Sequence, residues 1–146
     1  LQGEQNGDDP GTIFTFVATA LADCVANGAT EYFVAFSSHG GGFDGFGGDE
    51  NQRRRELAQS NQNIVTALQA ALDDVTGAPD NFDVIGFDAC LMQAIGAADE
   101  YRGVAKYILA SEAVEPGHGK HTYLKYDGIL LATALTSTPL YFRLGI

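Results

Sequence analysis

Two residues of this 146-residue chain are equipped for acyl-transfer chemistry, and each stands where a run of strand-forming residues stops. Cys90 follows the apolar run Phe82-Asp83-Val84-Ile85-Gly86-Phe87, after Asp88 and Ala89, and a helical pattern begins at Leu91. His39 follows Ser38 at the end of residues 30–37, TEYFVAFS. A thiol at the carboxyl edge of a sheet and the positive end of a helix loses its proton more readily, because backbone N–H groups stabilise the thiolate. An imidazole beside it can handle the thiol proton and protonate a departing amine. A third strand-like run, residues 105–110, delivers Ser111 and Glu112. The bland reading of Cys90 is a small buried filler at a strand-to-helix junction.

The elements that must bring these residues together follow from local pattern. Asp9 caps a helix whose first position is Pro10, where the missing N–H costs nothing, and Asn27-Gly28 stops it. Ile13, Val17, Ala20 and Cys24 recur at steps of three and four, so Cys24 is expected to be buried and inert. Residues 30–37 are rich in β-branched and aromatic side chains and read as a buried strand. Ser60 or Asn61 caps a second helix with Ile64, Leu68, Leu72 and Val75 on one face, broken by Gly77 and Pro79. The spacing of Leu91, Ile95 and Ala98 predicts a third helix over residues 90–102 with those three facing inward, and Gly103 ends it. Residues 123–135 also read as helical, while the stretch up to Ile146 receives no assignment.

Strand, helix, strand, helix, strand is the order of an α/β fold with parallel strands and right-handed crossovers. In such sheets ligands bind outside the carboxyl ends of the strands. If the three strands are neighbours, the loops carrying His39, Cys90 and Ser111-Glu112 share one rim. Three strands make a small sheet, and a missing strand leaves backbone groups unpaired. Residues 1–146 are expected to form one domain.

Composition narrows the partners. Nineteen acidic against 8 basic residues give a net charge of -11, and the resulting field repels nucleic-acid phosphate and anionic membrane. No run of about 18 apolar residues exists to span a bilayer. Two cysteines, Cys24 and Cys90, make no disulfide framework and fit no zinc spacing. The chain opens at Leu1 rather than Met, which suits a mature product or a fragment; the compartment stays unassigned, secretion included.

Residues 40–59 form a long glycine-rich, charged loop. Its Gly40 to Gly48 stretch lacks the Gly-Lys-Ser/Thr ending of a phosphate cradle. Asp44, Asp49 and Glu50 offer oxygens to calcium, without the ordered spacing of an EF-hand. Arg53-Arg54-Arg55 in the same loop reads either as a cleavage site or as a solvated basic stretch. His118 and His121 are lone loop histidines.

Ser38-His39-Gly40-Gly41-Gly42, then Gly86-Phe87-Asp88-Ala89-Cys90-Leu91-Met92, then Tyr107-Ile108-Leu109-Ala110-Ser111-Glu112 and Pro116-Gly117-His118-Gly119, resemble the clostripain family of cysteine peptidases. That family is related to the caspases, metacaspases, legumains and gingipains. The lead-in Gly7-Asp8-Asp9-Pro10 fits too, so the likeness runs from about residue 7 to about residue 125.

The resemblance implies a caspase-like three-layer sandwich, a mainly parallel sheet with helices on both faces, whose usual leading strand and helix come before the point where this sequence starts, so that the domain is expected to be incomplete at its N-terminus. It implies a nucleophile at Cys90, a catalytic histidine at His39 and an oxyanion hole from the N–H groups of Gly40 and Cys90. It further implies cleavage after arginine or lysine, with Asp88 helping to bind the basic side chain and Ser111 and Glu112 lining the same pocket. Asp88 as a plain helix cap is the competing assignment. The resemblance also makes Arg53 to Arg55 a candidate self-cleavage site and calcium a candidate accessory ion, although the chemistry requires no cofactor. Where the family carries an aromatic and an acidic residue after the Pro-Gly-x-Gly segment, this chain has Lys120 and His121, and it has no tryptophan. Lys120 would oppose a basic substrate side chain unless Glu112, Glu115 or Asp127 compensates.

The sequence thus leads to a cysteine endopeptidase acting on peptide or protein substrates. The alternatives are a catalytically silent relative that acts as a binding module and a small acidic cation-binding domain.

Overall fold

The computed structural model describes residues 9–47 and 60–114, together with the backbone of residues 141–145. In chain order the elements are α1 (Pro10–Ala26), β1 (Phe33–Ser37), a 3-10 turn (Gly42–Asp44), α2 (Asn61–Asp74), β2 (Phe82–Asp88), α3 (Ile95–Glu100), a second 3-10 turn (Tyr101–Gly103), β3 (Ala105–Leu109) and β4 (Tyr141–Gly145).

The first two helices form for the local reasons the sequence provides. The Asp9 carboxylate accepts from the N–H of Thr12 at 2.8 Å, Pro10 occupies the first turn, and Asn27 with Gly28 (φ 74°) closes the helix. Ser60 caps α2, its hydroxyl oxygen accepting from the N–H of Asn63 at 3.2 Å. α1 packs on α2, and α2 in turn contacts α3. Their apolar faces supply Ile13, Val17, Leu21, Ile64, Leu68, Ala71 and Leu72 to the core. Fully burying each of the larger aliphatic side chains stabilises the fold by about 1.5–3 kcal/mol.

The sheet has the order β3-β2-β1-β4, and every pairing is parallel. The fold is α/β, as expected, with β1 and β2 at its centre. β1 is shorter than the sequence predicts, starting at Phe33. β4 is an addition: residues 141–145 have no local signal that identifies them as a strand, and they pair with β1 from Phe33↔Tyr141 to Ser37↔Gly145. Val34, Phe36, Ile85 and Phe87 share one face of the sheet by register and are buried there.

The third helix needs correction. Cys90 does not open it; residues 89–94 form irregular turns, and α3 is only six residues long, beginning at Ile95. Ile95 is 89% exposed rather than inward, and Leu91 and Ala98 are half-buried; the inward residues are Met92, Ala97 and Tyr101. Leu91 has φ 62°, a left-handed conformation that interrupts a helix and costs a non-glycine residue about 1–2 kcal/mol.

Candidate active site

The register Ser37↔Asp88 ends the two central strands level with each other, so the chain leaves β1 at Ser38-His39 beside the place where β2 releases Ala89-Cys90. The N–H of Ser38 still donates to the carbonyl of Asp88 at 3.3 Å. One residue beyond His39, the backbones touch. A Cβ on Gly40 would collide with the carbonyl oxygen of Cys90 and would stand 2.9 Å from the Ala89 Cβ and 3.0 Å from the Met92 Cγ. Only glycine permits this approach. His39 itself is exposed and Cys90 half-buried, so both are open to the rim.

The glycine stretch after His39 is ordered rather than a loose loop. Gly41 donates its N–H to the carbonyl of Gly45 at 3.0 Å, and Gly47 donates to that of His39 at 2.9 Å. These bonds bracket the antiparallel bridge between Gly40 and Phe46 and do not engage the N–H of Gly40. Phe46 anchors the turn. It is fully buried, with its ring centroid 5.8 Å from Phe36 and 5.5 Å from Phe87, both in edge-on arrangements.

A second anchor is Asn61, a buried residue that sequence reasoning considered only as a cap. Its Nδ2 donates to the carbonyl of Gly42 at 2.9 Å, and its Oδ1 accepts from the Tyr101 hydroxyl at 3.1 Å. Burial, with the Glu100 charge adding, raises the Tyr101 pKa far above the ordinary tyrosine range, so the phenol stays a donor. The only local signal was an asparagine at a helix start, which suits a cap equally well.

The turn after Cys90 is held from the other side by the segment that follows β3. Leu91 donates its N–H to the carbonyl of Ala113 at 3.1 Å, and Gln93 donates to that of Ser111 at 2.9 Å. The Ser111 hydroxyl is engaged within its own turn, accepting from the N–H of Ala113 and donating to its carbonyl, both at 3.1 Å. Glu112 is exposed between them. The three strand-end segments therefore do meet on one rim. Because α3 starts five residues after Cys90, the helix-terminus field invoked for the thiolate is not at the sulfur; such fields fade within a turn.

Asp88 does not cap a helix. It is buried, one carboxylate oxygen accepts from the Ser37 hydroxyl at 3.2 Å, and the other, Oδ1, has no hydrogen-bond partner among the described residues. Arg102 and Lys106, the two cations whose side chains are described, pair with Asp99 and Asp83 instead. A buried carboxylate oxygen in that state calls for a donor.

The other thiol behaves as expected. Cys24 is buried in α1, and burial, with Asp23 adding, raises its pKa away from reactivity. Asp44 ends the first 3-10 turn, whereas Asp49 and Glu50 lie outside the described residues. So do Arg53, Arg54, Arg55, Glu115, His118, Lys120, His121, Asp127 and the predicted helix over 123–135. No group of three or more metal-ligating side chains occurs among the described residues, and none of their helices is long and apolar enough to cross a membrane.

The fold and rim define an α/β protein with a thiol and an imidazole at the carboxyl ends of adjacent parallel strands. The model of the clostripain family matches residues 3–134, and the chain belongs to that family, one of cysteine peptidases. No curated protein and no solved structure matches it.

Proposed function

We propose that this chain carries the His–Cys machinery of a cysteine endopeptidase that cleaves after arginine or lysine. The observation that supports it most is the packing of Gly40 on the carbonyl of Cys90, which fixes the histidine loop and the cysteine turn to one another. In this reading the Cys90 thiolate attacks the scissile carbonyl carbon and forms a C–S bond, while the N–H groups of Gly40 and Cys90 receive the oxyanion. His39, as imidazolium, gives its proton to the amine as the C–N bond breaks. It then takes a proton from the water that hydrolyses the thioester, and the thiolate is released.

Asp88 supplies the charge for a basic substrate side chain. Its buried, unpartnered oxygen is the acceptor that a guanidinium would satisfy with a charge-assisted bond. Ser111 acts through its backbone, holding the cysteine turn, and Glu112 adds negative charge at the mouth. The Arg53 to Arg55 stretch is a substrate of the same specificity within the chain.

The test is labelling by an arginine-based acyloxymethyl ketone, with intact mass read before and after. One adduct per chain is expected, absent from Cys90→Ala, greatly slowed in His39→Ala, and slowed in Asp88→Asn for the arginine probe but not for an uncharged one. A second reading, a binding module without turnover, is favoured by the start of α3 well past Cys90. A folded wild-type protein that takes no probe of any side-chain type would establish it.

A further inference from the structure

Leu91, the residue directly after the candidate nucleophile, is the one non-glycine position among the described residues with a positive φ, 62°. Leucine is poorly suited to that conformation, because its Cβ crowds the neighbouring backbone where glycine fits at no steric cost. Strain of this kind persists only where the surroundings over-determine the backbone, and around Leu91 they do. Its N–H donates to the carbonyl of Ala113 at 3.1 Å, and its own carbonyl accepts from the N–H of Ala94 at 3.0 Å. That carbonyl oxygen and the Leu91 Cβ also border Gly42, where an added Cβ would stand 3.2 Å and 3.6 Å from them. Two residues on, Gln93 donates to the carbonyl of Ser111 at 2.9 Å, so the turn is tied twice to the segment that follows β3.

The peptide that joins Cys90 to Leu91 is therefore gripped at both ends. It is trans, so its C=O and N–H point in opposite directions. The C=O lies against Gly40 of the histidine loop, and the N–H bonds to Ala113. Ala89, on the other side of Cys90, is buried and borders Gly40 as well, its Cβ 2.9 Å from where a Gly40 Cβ would stand. With the backbone held before and after it, the Cys90 side chain keeps only its χ1 rotation, with its few staggered wells. The Ala113 carbonyl is itself pinned by the Ser111 hydroxyl, which donates to it at 3.1 Å.

Resting on the peptidase reading above, we propose that Leu91 is a positioning residue for the reaction. Its left-handed turn lets the cysteine segment meet the histidine loop on one side and residues 111–113 on the other at the same time, and so fixes the backbone that carries the thiol. A right-handed or extended residue here would swing the following chain away from one of those partners. What the reaction gains is preorganisation: attack on the scissile carbonyl starts from a backbone that needs no rearrangement. The role belongs to the conformation and not to the leucine side chain. It therefore predicts a rank order that a packing role would not give, with glycine and alanine tolerated and β-branched valine, the nearest of the three to leucine in size, rejected.

The test uses the whole chain and the arginine acyloxymethyl ketone, with the maximal labelling rate kinact and the half-saturating concentration KI read separately, beside circular dichroism and urea midpoints. Leu91→Gly and Leu91→Ala are expected to keep kinact within about twofold of the wild type, and Leu91→Val to lower it about tenfold per folded molecule with KI unchanged, as lost positioning without lost binding requires. Ser111→Ala leaves residue 91 as it is and frees the Ala113 carbonyl from its pin, so kinact is expected to fall about threefold and to recover in Ser111→Thr. A folded Leu91→Val at the wild-type kinact overturns the proposal, and so does Ser111→Ala at the wild-type kinact if Leu91→Val does not fold. Glycine and alanine variants as slow as valine would assign the effect to the leucine side chain and overturn it too, as would changes confined to KI or to the urea midpoint. A folded wild type that takes no probe of any side-chain type removes the peptidase reading, and this role with it.

Discussion

The α1–α2 layer and the rim at the ends of β1 and β2 are built on opposite principles. The helical layer is held by side-chain volume: Ile13, Val17, Leu21, Ile64, Leu68 and Leu72 fill a common core. The rim is held by the absence of side chains, at Gly40 and Gly42, and by backbone bonds from Leu91, Gln93 and Gly47. Damage to the first should be felt as lost stability, and damage to the second as a misplaced thiol in a chain that still folds.

The sharpest separation comes from Leu68→Ala, which empties a fully buried position and is expected to cost about 2–5 kcal/mol in urea unfolding while the folded fraction keeps its labelling rate per molecule. Gly40→Ala should invert that result. Its methyl group meets the Cys90 carbonyl, so labelling should slow about 100-fold, with a stability loss of about 1–3 kcal/mol from overpacking. If Gly40→Ala labels at the wild-type rate, the contact between the two loops does not position the thiol.

Asn61→Ala tests the bridge between the regions, because Asn61 starts α2 and holds the glycine turn. Removing it leaves the Gly42 carbonyl and the Tyr101 hydroxyl without their partner and should cost about 1–3 kcal/mol. Unlike Leu68→Ala, it should also slow labelling, and a variant that loses stability alone would detach the anchor from the site.

The smallest effect is on pH dependence. Cys24 and Tyr101 both have raised pKa values in the fold, chiefly from burial. Above about pH 8.5 for the thiol and about pH 10 for the phenol, the unfolded chain gives up protons that the folded chain keeps, so stability falls as pH rises. Urea midpoints should be level up to about pH 8 and decline beyond it, less steeply near pH 9 in Cys24→Ala. A midpoint that rises over the same range would reverse the assignment.

The contrast also explains what was legible in the sequence. Volume-driven structure has a period, so α1, α2 and the central strands, with Asp9 and Ser60 as caps, followed from spacing. Close-approach structure has none. Leu91, Ile95 and Ala98 carry a helical spacing, yet the backbone there must meet Gly40, Gly42 and Ala113, and those long-range contacts prevailed over the local pattern. Asn61 looked like a cap because its partners, Gly42 and Tyr101, are remote in sequence. β4 escaped for a similar reason: YFRLG becomes a strand only because β1 has an open edge to offer. That His39 and Cys90 follow the ends of neighbouring strands was legible from the strand-forming runs before them, and the buried oxygen of Asp88, without a partner among the described residues, could be seen only once the fold was in hand.

The position of β4 has a consequence for how the chain folds. The strand that leads to His39 has β2 on one side and β4 on the other, and these partners come from the middle and the far end of the sequence. During synthesis one edge of β1 stays bare until residues 141–145 have been made. Pairings of such long sequence separation are slow to form and leave the open edge prone to association in the interval. Closing of the sheet on the outer edge of the histidine strand therefore waits on a partner strand far downstream in the chain.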